Sequence, residues 1–555
     1  MKPAGLWVTA LLAALAIVAA PVPVGARPAA PRVLAAGPRA DPFDRPGGGF
    51  LRTTFSPDGD GRRDRVWIRV RSTPGDRILL RVVRESHGGS FVAGEQTVPA
   101  GAGTLSWNGT DVDGSPQPDL SYILEACSAV TGRCASTRVL AHLRILSLYV
   151  PRVTAVSVGQ TVPAVLATDR LGPFTLDLTL DGSSDAPGVG ALVVQRPGRI
   201  AYRIPDVAGG LWLLRVRSGS VVTHFPLVVH QADRPLSEPP HGTALVVYPY
   251  LTWRAYDRSD LNRDGQLDTW YSHPLRPVIP LRGPFEPGRL EPGLSGRPAS
   301  PGGEQAFGLW MRLHHLTAQH VTDIELGRLP ADVLRRYAVV VFPGHTEYYE
   351  RRTYDRLLAY RDAGGRLYFL QGNSFYGEVR VGRTSITRLS YRYRTRTQSD
   401  FRLAATGFRS CCWPRTIVPR YHLARSVRER LPWLLEGTEL RAGDAFGVAV
   451  REVDTVDPKL SPRGTIRVAS AIVPPFSSPI EGGAAAWIGT RRIPYEPASN
   501  RRQRIDIAYA ATGPGEVFSW GNVGFMQSLR YKTLPPPELA ALDRVALNIW
   551  RRFTR

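Results

Sequence analysis

Lysine is almost missing from this chain of 555 residues, which contains three lysines against 67 arginines. The formal net charge of +22 therefore comes from arginine, and the arginines are spread along most of the chain without a dense tract. Because nucleic-acid-binding proteins usually concentrate positive charge on one face, we do not expect a nucleic acid as a partner. The even distribution favours instead a surface that tolerates anionic polymers.

Long hydrophobic runs are missing after the N-terminus, since no later stretch reaches the roughly 18 apolar residues that a membrane-spanning helix needs. The N-terminus has the layout of a secretory signal peptide: Lys2 precedes an apolar run, and small residues end at Ala26. We therefore predict a signal peptide over residues 1–26 and a secreted or cell-envelope location, with an uncleaved anchor as the alternative. Residues 27–47 are rich in Pro, Ala and Gly, which predicts a flexible linker.

Cysteine is scarce, with four residues in the whole chain. Cys127 and Cys134 flank the turn-forming segment Val130–Arg133, so they would face each other across two strands of a hairpin. Since export permits disulfides, we predict one disulfide. Cys411 and Cys412 are adjacent, which would strain a bond between them, and no pairing is predicted for them. None of the four lies in a context typical of a catalytic thiol.

The chain does contain enough apolar material for several folded domains. One domain per roughly 150 residues predicts three or four domains, and 43% hydrophobic residues with 12 Trp exclude a disordered or collagen-like chain. Short alternating runs such as Val66–Val70, separated by turn residues, predict an Ig-like β-sandwich over residues 48–148. The same style continues through runs such as Phe174–Leu178, which predicts a second sandwich over residues 149–235.

The pattern changes after residue 235 to alternating strands and helices. Ala338–Phe342 is predicted as a buried parallel strand, Tyr354–Ala363 as a helix and Arg366–Leu370 as the next strand. Short links between these elements predict a βαβ crossover, and therefore an α/β domain over residues 236–555 with a β-rich C-terminal extension and a closing helix. The sheet resembles the glutamine-amidotransferase-like or flavodoxin-like type. No Cys follows the relevant strand, so thiol catalysis is not expected.

An acidic stretch near the start of the first predicted sandwich suits calcium. Asp58, Asp60 and Asp64 alternate with glycines that allow a tight wrap around the ion, and an acidic turn without metal is the alternative. Together with Trp107–Gly114 and the later Tyr122, this stretch resembles the flagellar hook-capping type of Ig-like domain. That resemblance implies a structural or spacing role rather than a reaction.

A second acidic stretch lies in the predicted α/β domain. It resembles the start of an EF-hand or dockerin loop and predicts a calcium site. Its oxygen ligands would be Asp260, Asn262, Asp264 and Asp268. Tyr271 stands where such loops usually carry Glu, and a solvated turn is the alternative.

A third group of polar residues follows two of the predicted parallel strands. His345–Tyr349 comes after the first strand and Gly372–Tyr376 after the second. Because the carboxyl ends of adjacent parallel strands meet at one edge of a sheet, these residues would share one crevice. A His, a Glu and two tyrosines converging there predict a metal site with hard ligands. The alternative is aromatic packing at the rim beside a turn histidine.

Five motifs, in order, resemble the catalytic domain of the large subunit of N,N-dimethylformamidase and its relatives. Pro205–Val229 is similar to the β domain that precedes it in this family, so the resemblance covers about residues 149–555. The chain departs from the family at Asp260–Asp268, which replaces a glycine-rich loop, and at Ser374, which replaces a usual Gly. The motifs are Thr252–Tyr256, His345–Tyr348, Gly372–Tyr376, Glu452–Asp454 and Gly515–Gly521.

The resemblance implies a mononuclear ferric ion bound by two tyrosinates and one glutamate, at positions that match Tyr348, Tyr376 and Glu452. Phenolate and carboxylate oxygens are hard donors that suit such a cation. It also implies hydrolysis of an amide-type C–N bond in a small substrate, with a carbonyl polarised by the metal. Glu347 and His345 are the nearest groups in sequence that could take the proton. Family members of known activity are cytoplasmic and pair with a small subunit, so a small subunit or a homo-oligomer is expected here.

Two functions follow from these observations. The leading prediction is an exported, metal-dependent hydrolase of amide-type bonds. The alternative is a non-catalytic secreted or envelope protein that binds anionic wall polymers or another protein, with the sandwiches as spacers. The enzyme requires bound metal and an intact Tyr376, whereas the alternative requires neither.

Overall fold

The computed structural model describes most of the chain, and the predicted signal peptide, Cys411 and Cys412 lie outside the described residues. These are residues 30–36, 54–84, 90–97, 101–135, 139–152, 155–180, 186–231, 235–257, 260–261, 268–270, 277–285, 302–389, 398–410, 417–449, 452–475, 486–488, 491–493, 501–530 and 534–555. The chain is mostly β-sheet with few helices, as the short alternating runs predict. Among the described residues, none of the helices combines the length and the apolar composition needed to cross a bilayer.

The N-terminal part folds as two packed sheets, with strand orders β1-β3-β6 and β2-β8-β7-β4-β5. Trp107 lies at the centre of its core, with ring centroids 5.3 Å from Phe55 and 4.7 Å from Tyr122. Cys127 and Cys134 form the predicted disulfide across the hairpin turn. The strands are β1 Arg32–Ala36, β2 Thr54–Phe55, β3 Val66–Arg71, β4 Arg77–Arg84, β5 Ser90–Thr97, β6 Ala102–Trp107, β7 Ser121–Ser128 and β8 Val139–Leu143.

The prediction of a flexible linker over residues 27–47 is wrong for its middle part. Arg32–Ala36 is a strand that pairs antiparallel with β3, with Val33 opposite Val70. The physical reason is that this segment carries apolar residues between prolines and glycines, and Val33 packs against the core of the first sandwich. An apolar segment beside an open sheet edge gains burial and backbone hydrogen bonds by joining that edge.

A second pair of sheets follows, with strand orders β10-β16-β15-β12-β13 and β14-β11-β9. The buried pair Asp177 and Arg215 lies in the first of these sheets, with Nε 2.8 Å from Oδ1. The loop of the first sandwich that contains Asp58 contacts this second unit, since Asp58 pairs with Arg170 at 3.3 Å. The strands are β9 Ser147–Tyr149, β10 Val156–Ser157, β11 Thr161–Ala167, β12 Phe174–Thr179, β13 Val189–Val194, β14 Gly198–Arg203, β15 Gly210–Ser218 and β16 Val221–His230.

The remaining chain is built around a nine-stranded sheet of order β19-β17-β20-β22-β33-β32-β29-β26-β27. Its first five strands are parallel neighbours and its last four pair antiparallel. The strands are β17 Ala244–Tyr248, β18 Val278–Pro280, β19 Ala318–Thr322, β20 Val339–Phe342, β21 Tyr348–Glu350, β22 Arg366–Phe369, β23 Gly377–Val381, β24 Ser385–Arg388, β25 Gly407–Ser410, β26 Arg420–Leu423, β27 Ala445–Val448, β28 Val453–Thr455, β29 Ile466–Val473, β30 Ala486–Ile488, β31 Arg491–Ile493, β32 Gln503–Thr512 and β33 Gly515–Ser519.

Strands β17 and β20 are apolar or aromatic along their whole length and buried, as in sheets covered on both faces. A smaller sheet of order β18-β24-β23-β21 lies beyond the ends of β20 and β22, and two further pairs are β25-β28 and β30-β31. The helices are α1 Tyr250–Ala255, α2 Gly302–Leu313, α3 Asp323–Leu326, α4 Ala331–Leu334, α5 Arg351–Asp362, α6 Gln398–Ala404, α7 Val427–Arg430, α8 Phe525–Arg530 and α9 Pro536–Thr554, with a 3-10 turn at Pro432–Leu435.

The second sandwich and the nine-stranded sheet share one apolar core, which runs from Leu146 to Phe553. His320 of β19 lies at this junction, 5% exposed, and its Nδ1 is 3.3 Å from the Tyr248 hydroxyl. A Cβ at Gly209 of the sandwich would lie 3.1 Å from the His320 ring. Burial, with His230 and Arg312 nearby, lowers the pKa of His320 from 6.5 to about 3.

This burial predicts an acid-sensitive junction. Below pH 6.5 the unfolded chain protonates His320 while the folded chain does not, so the free energy of unfolding falls as the pH falls from 6.5 toward 3. When the pH is lowered from 7 to 5, the free energy of unfolding should fall by about 2 kcal/mol less in His320→Gln than in the native chain. Urea unfolding at both pH values measures this, and the exposed His241→Gln is the control. An unchanged pH dependence in His320→Gln would contradict the assignment.

Candidate functional site

The polar segments after β20 and β22 run side by side, as their positions after neighbouring parallel strands predict. Both segments continue into the smaller sheet, where β21 and β23 pair parallel with Tyr348 opposite Gly377. The backbone N–H of Gly377 donates to the carbonyl of Glu347 at 2.9 Å. A Cβ at Gly377 would lie 2.6 Å from Cδ1 of Tyr348, so the absence of a side chain there leaves room for the tyrosine ring.

Three of the predicted site residues form a buried imidazole–carboxylate cluster. Nε2 of His345 lies 2.8 Å from Oε2 of Glu452 and 3.8 Å from Oε2 of Glu347. One ligand atom from each residue falls within 4.8 Å of the others, which is the spacing of groups that can share a metal ion. Glu452 comes from the segment before β28, more than one hundred residues away in sequence, so the tertiary fold brings it to the crevice.

The predicted tyrosine ligands lie at the same site. Tyr348 is buried, and its ring centroid lies 4.8 Å from that of Trp270 and 5.8 Å from that of Tyr256. Tyr376 is 8% exposed and interacts electrostatically with the Tyr348 phenol. All five residues predicted for the reaction and the iron are thus brought to one buried region.

Burial and mutual repulsion raise the pKa values of the acidic groups in this region. Burial, opposed by His345 and reinforced by Glu452, raises the pKa of Glu347 to about 7. Burial and the Glu347 carboxylate raise the pKa of Tyr348 well above its usual range, and the same two causes act on Tyr256. Buried acidic groups that resist ionisation together are stabilised in their ionised forms by a positive charge among them.

Glu452 is held by neighbours that the residue pattern did not single out. Asn373 donates from Nδ2 to Oε2 of Glu452 at 3.1 Å, and its backbone N–H donates to Oδ1 of Asp454 at 2.7 Å. Asn373 adopts a left-handed backbone with φ of +54°, which asparagine tolerates better than most residues. Asp454 also accepts from Thr406 at 2.9 Å, and burial raises its pKa to about 6. Asn373 thus contacts both Glu452 and Asp454, which are two residues apart in sequence.

Helix α1 supplies further site residues for which no role was predicted. Tyr256, directly after α1, donates its hydroxyl to Oε2 of Glu347. Oγ1 of Thr252 accepts from the backbone N–H groups of Glu347 at 2.9 Å and Tyr348 at 3.3 Å. Their sequence signal was the family-like segment Thr252–Tyr256, which by itself did not indicate contact with Glu347.

Glu304 of α2 was also missed, because no local motif marks it. Its Oε1 accepts from Nε1 of Trp253 at 3.1 Å. A Cβ at Gly344 would lie 1.9 Å from the same oxygen, so the carboxyl group packs directly on the residue before His345. Burial raises the pKa of Glu304 to about 7.

The structure brings Asp58, Asp60 and Asp64 together, with one oxygen of each within 4.8 Å of the others. Much of their hydrogen-bonding capacity is used within the protein. The carboxylate of Asp64 accepts from the backbone N–H groups of Gly59 and Gly61, both at 2.9 Å. Calcium at this loop therefore stays a prediction.

The second predicted calcium stretch is only partly described. Asp260 and Asp268 are buried, and Oδ2 of Asp268 accepts from the backbone N–H of Leu261 at 2.5 Å. Asn262 and Asp264 lie outside the described residues. Glu125, Cys127 and Cys134 also lie close together, but both cysteines are consumed by the disulfide.

A family model for "N,N-dimethylformamidase beta subunit-like, C-terminal" matches residues 199–537. The chain belongs to this family. The match covers more than half of the chain, and His345, Glu347, Tyr348, Tyr376 and Glu452 all fall within it. Membership of the N,N-dimethylformamidase beta subunit-like family suggests a hydrolase. The hook-capping resemblance of residues 48–148 lies outside the matched range and stays a prediction.

Comparisons with solved structures give only remote likenesses. A ThuA-like protein from Bacteroides uniformis shares 9% identity over 57% of this chain and 93% of its own, with a TM-score of 0.29. The C-terminal fragment of intimin, solved with the intimin-binding domain of its translocated receptor, shares 10% identity over 32% of this chain and 60% of its own, with a TM-score of 0.13. Murine CEACAM1b shares 14% identity over 32% of this chain and 95% of its own, also at 0.13. A comparison with curated proteins finds no match.

The contact between Gly377 and Tyr348 predicts a sensitive position. Gly377→Ala should lower the free energy of unfolding by about 1–3 kcal/mol, because the added methyl group overlaps the tyrosine ring. Gly308→Ala in α2 is the control, since its Cβ would meet nothing nearer than 3.7 Å and alanine favours a helix. Urea unfolding of both variants measures the difference, and equal stability would contradict the packing.

Proposed function

We propose that this chain is a metal-dependent hydrolase of amide-type C–N bonds. The observation that carries the proposal is the buried cluster of His345, Glu347 and Glu452, with Tyr256 and Tyr348 against it, inside the family-matched region. Such a concentration of acidic side chains is costly to bury without a compensating cation. Groups with strongly perturbed pKa values concentrate at functional sites, which supports this reading of the cluster.

The donor set fits the ferric ion that the family resemblance implies. Tyr348, Tyr376 and Glu452 would hold it, since phenolate and carboxylate are hard oxygen donors suited to a hard cation. Burial raises the pKa of Tyr348 well above its usual range, so its phenol would ionise there only beside a positive charge such as the ion. Asn373 would orient Glu452 through its side-chain amide, as partners of metal ligands commonly do.

When bound, the metal would supply Lewis acidity toward an amide carbonyl and toward water. Glu347 would take a proton from an attacking water and return it to the leaving amine. Tyr256 donates to the same carboxylate oxygen, which holds Glu347 in one orientation. His345 pairs with Glu452 on the other side of the cluster and would limit the net charge of the site.

We also propose an amidotransferase-like α/β fold for the C-terminal part of the chain. Five parallel neighbours with polar segments beyond their carboxyl ends support an amidotransferase-like α/β domain. In such sheets, ligands bind where His345 and Asn373 lie.

Export, calcium binding and partners are proposed from the sequence. A signal peptide at residues 1–26 would send the enzyme outside the cytoplasm, where Asp58–Asp64 and Asp260–Asp268 would meet calcium. A small amide-type substrate and a small subunit or second copy would be the partners. Anionic envelope polymers stay the partner of the alternative, non-catalytic function.

Iron content and colour provide the first test. Purified protein should hold near-stoichiometric iron and show a visible charge-transfer band from tyrosinate bound to Fe(III). Tyr348→Phe and Tyr376→Phe should each weaken the band and lower the iron content, because each removes a phenolate donor. Metal analysis with an absorption spectrum measures both effects.

Tyr349→Phe is the matched control for this test. Tyr349 is the next residue of the same strand, but its ring packs into the apolar cluster around Tyr354 and Phe375, with centroids 5.3 and 5.6 Å away. Its variant should keep the band. Colourless native protein that takes up no transition metal on reconstitution would exclude the metalloenzyme and favour the non-catalytic envelope protein.

Removing the proposed proton acceptor provides a second test. Glu347→Gln should keep iron but lower amide hydrolysis by about 100-fold or more, the usual cost of losing a general base. Release of amine from a panel of small formamides and acetamides measures the rate. Glu378→Gln is the control. Glu378 lies in β23 of the smaller sheet and pairs with Arg351, so its loss should leave the rate nearly unchanged. Loss of iron from Glu347→Gln would identify Glu347 as a ligand instead.

A further inference from the structure

The outward face of the sheet β1-β3-β6 in the first sandwich carries a row of arginines. Side chains alternate along β3, so residues 66, 68 and 70 are fully buried, whereas Trp67, Arg69 and Arg71 point outward. Both arginines are exposed, and the indole of Trp67 is partly buried. On the neighbouring strand β1, exposed Arg32 lies directly opposite Arg71, and exposed Arg65 directly precedes β3. We call these five residues the arginine face.

Among the described residues, the arginine face has no acidic side chain to neutralise it. The third strand, β6, places Thr104 opposite Arg69 and Ser106 opposite Trp67. None of the four arginines forms an ion pair with a carboxylate in the part of the chain that the structure describes. An anion between Arg32 and Arg71 would relieve the repulsion that like charges exert when they lie directly opposite each other on paired strands.

On the other sheet of the same sandwich, exposed arginines are paired. In β4, Arg77 lies 3.2 Å from Glu95 of β5, and Arg81 lies 2.8 Å from Glu125 of β7. The side chains of Arg77 and Arg81 are 61% and 43% exposed, so exposure by itself does not prevent pairing. In contrast, the arginine face keeps its positive charge, as expected of a surface that binds anions.

The layout of the arginine face favours a polymer with regularly repeated anionic groups. Successive outward side chains of a strand lie about 7 Å apart, so Arg69 and Arg71 form a row rather than a pocket for a single anion. Guanidinium groups bind carboxylates and similar oxyanions through two parallel hydrogen bonds. Trp67 lies in the same row, and its ring offers a platform on which the C–H face of a sugar ring can pack.

Two other classes of partner fit this surface less well. Protein interfaces have a core that is rich in apolar and aromatic residues and poor in charge, whereas Trp67 is flanked here by arginines. Proteins that bind single-stranded nucleic acid stack successive bases on several aromatic rings along a groove. Within the described strands β1, β3 and β6, Trp67 is the one aromatic side chain on the outward face. The surface therefore favours a sugar polymer over a protein or a nucleic acid.

We propose that the arginine face binds an anionic polysaccharide. A sugar ring would pack on Trp67, and carboxylate or sulfate groups of neighbouring sugars would pair with Arg69, Arg71 and Arg32. The net charge of +22 by itself assigns no location to such a partner, since it is the fold that brings Arg32 beside Arg71. The face precedes residue 199, where the family match begins, so neither the family nor the proposed metal site implies this binding.

The test uses full-length protein and a fluorescein-labelled galacturonan of ten sugars, measured by fluorescence anisotropy at about 0.15 M salt. A dextran sulfate oligomer of equal length provides sulfate in place of carboxylate, and the tighter binder of the two identifies the acidic group. Unmodified dextran and a ten-nucleotide oligothymidylate are the controls. At least one anionic polysaccharide should bind saturably with a Kd below millimolar and at least tenfold more tightly than oligothymidylate, and dextran should not bind.

Substitutions on the arginine face locate the binding surface. Arg69→Gln combined with Arg71→Gln should weaken binding about tenfold. Trp67→Val, which keeps the charge and favours a strand, should weaken binding about fivefold because it removes the platform for the sugar ring. Arg328→Gln combined with Arg335→Gln, an equal charge change at exposed positions near α3 and α4, should alter binding less than twofold. Melting temperatures check that each variant is folded.

Four results would overturn the proposal. These are no binding of either anionic polysaccharide at millimolar concentration, equal binding of oligothymidylate, unchanged binding by Trp67→Val, and equal weakening by both double variants. Equal binding of oligothymidylate would show charge attraction without recognition of a sugar. Iron content and amide hydrolysis are independent readouts, so failure here leaves the proposed enzyme untouched, and the reverse also holds.

Discussion

The burial of several acidic side chains at one point is the constraint on which this architecture depends. Glu347, Glu452 and Asp454 lie almost fully out of water, with the phenols of Tyr256 and Tyr348 beside them. Each would be costly to bury alone, because a charge loses its hydration and an unpaired oxygen loses its hydrogen bonds. The surrounding structure compensates with His345 and with donors from Asn373 and Thr406. The remaining excess of acidic groups is what a metal ion would balance.

The site is assembled from four segments that are distant in sequence. Parallel pairing of β20 with β22 brings two of them together, α1 supplies the third, and the segment before β28 supplies the fourth. Glycines make the close approach feasible where side chains would collide. At Gly372 a Cβ would lie 2.8 Å from the carbonyl oxygen of Glu452, and at Gly377 it would overlap Tyr348. These close contacts explain why the Gly372–Tyr376 motif begins with a glycine and is followed by Gly377.

The molecule separates two opposite electrostatic environments. The buried centre of the C-terminal part concentrates acidic groups, whereas the outer edge of the second sandwich presents arginines beside an apolar strand. One apolar core includes strands of the second sandwich and the closing helix α9. The second sandwich therefore packs as part of the C-terminal unit. The second sandwich and the candidate catalytic centre therefore lie on one continuous body.

Local pattern was sufficient where short-range physics decides. Alternation predicted strands such as β3 and β12, an apolar run predicted β20, and the turn between Cys127 and Cys134 predicted the disulfide. Motif order predicted the family, and adjacency of parallel strands predicted that the segments after β20 and β22 lie side by side. Local pattern failed at Arg32–Ala36, where the expected linker pairs with an open sheet edge as a strand. It also predicted no role for Tyr256, Asn373 or Glu304. Those roles arise from contacts between residues tens to hundreds of positions apart. Only the packed tertiary structure decides which distant side chains meet, because burial and hydrogen bonding act in space rather than along the chain.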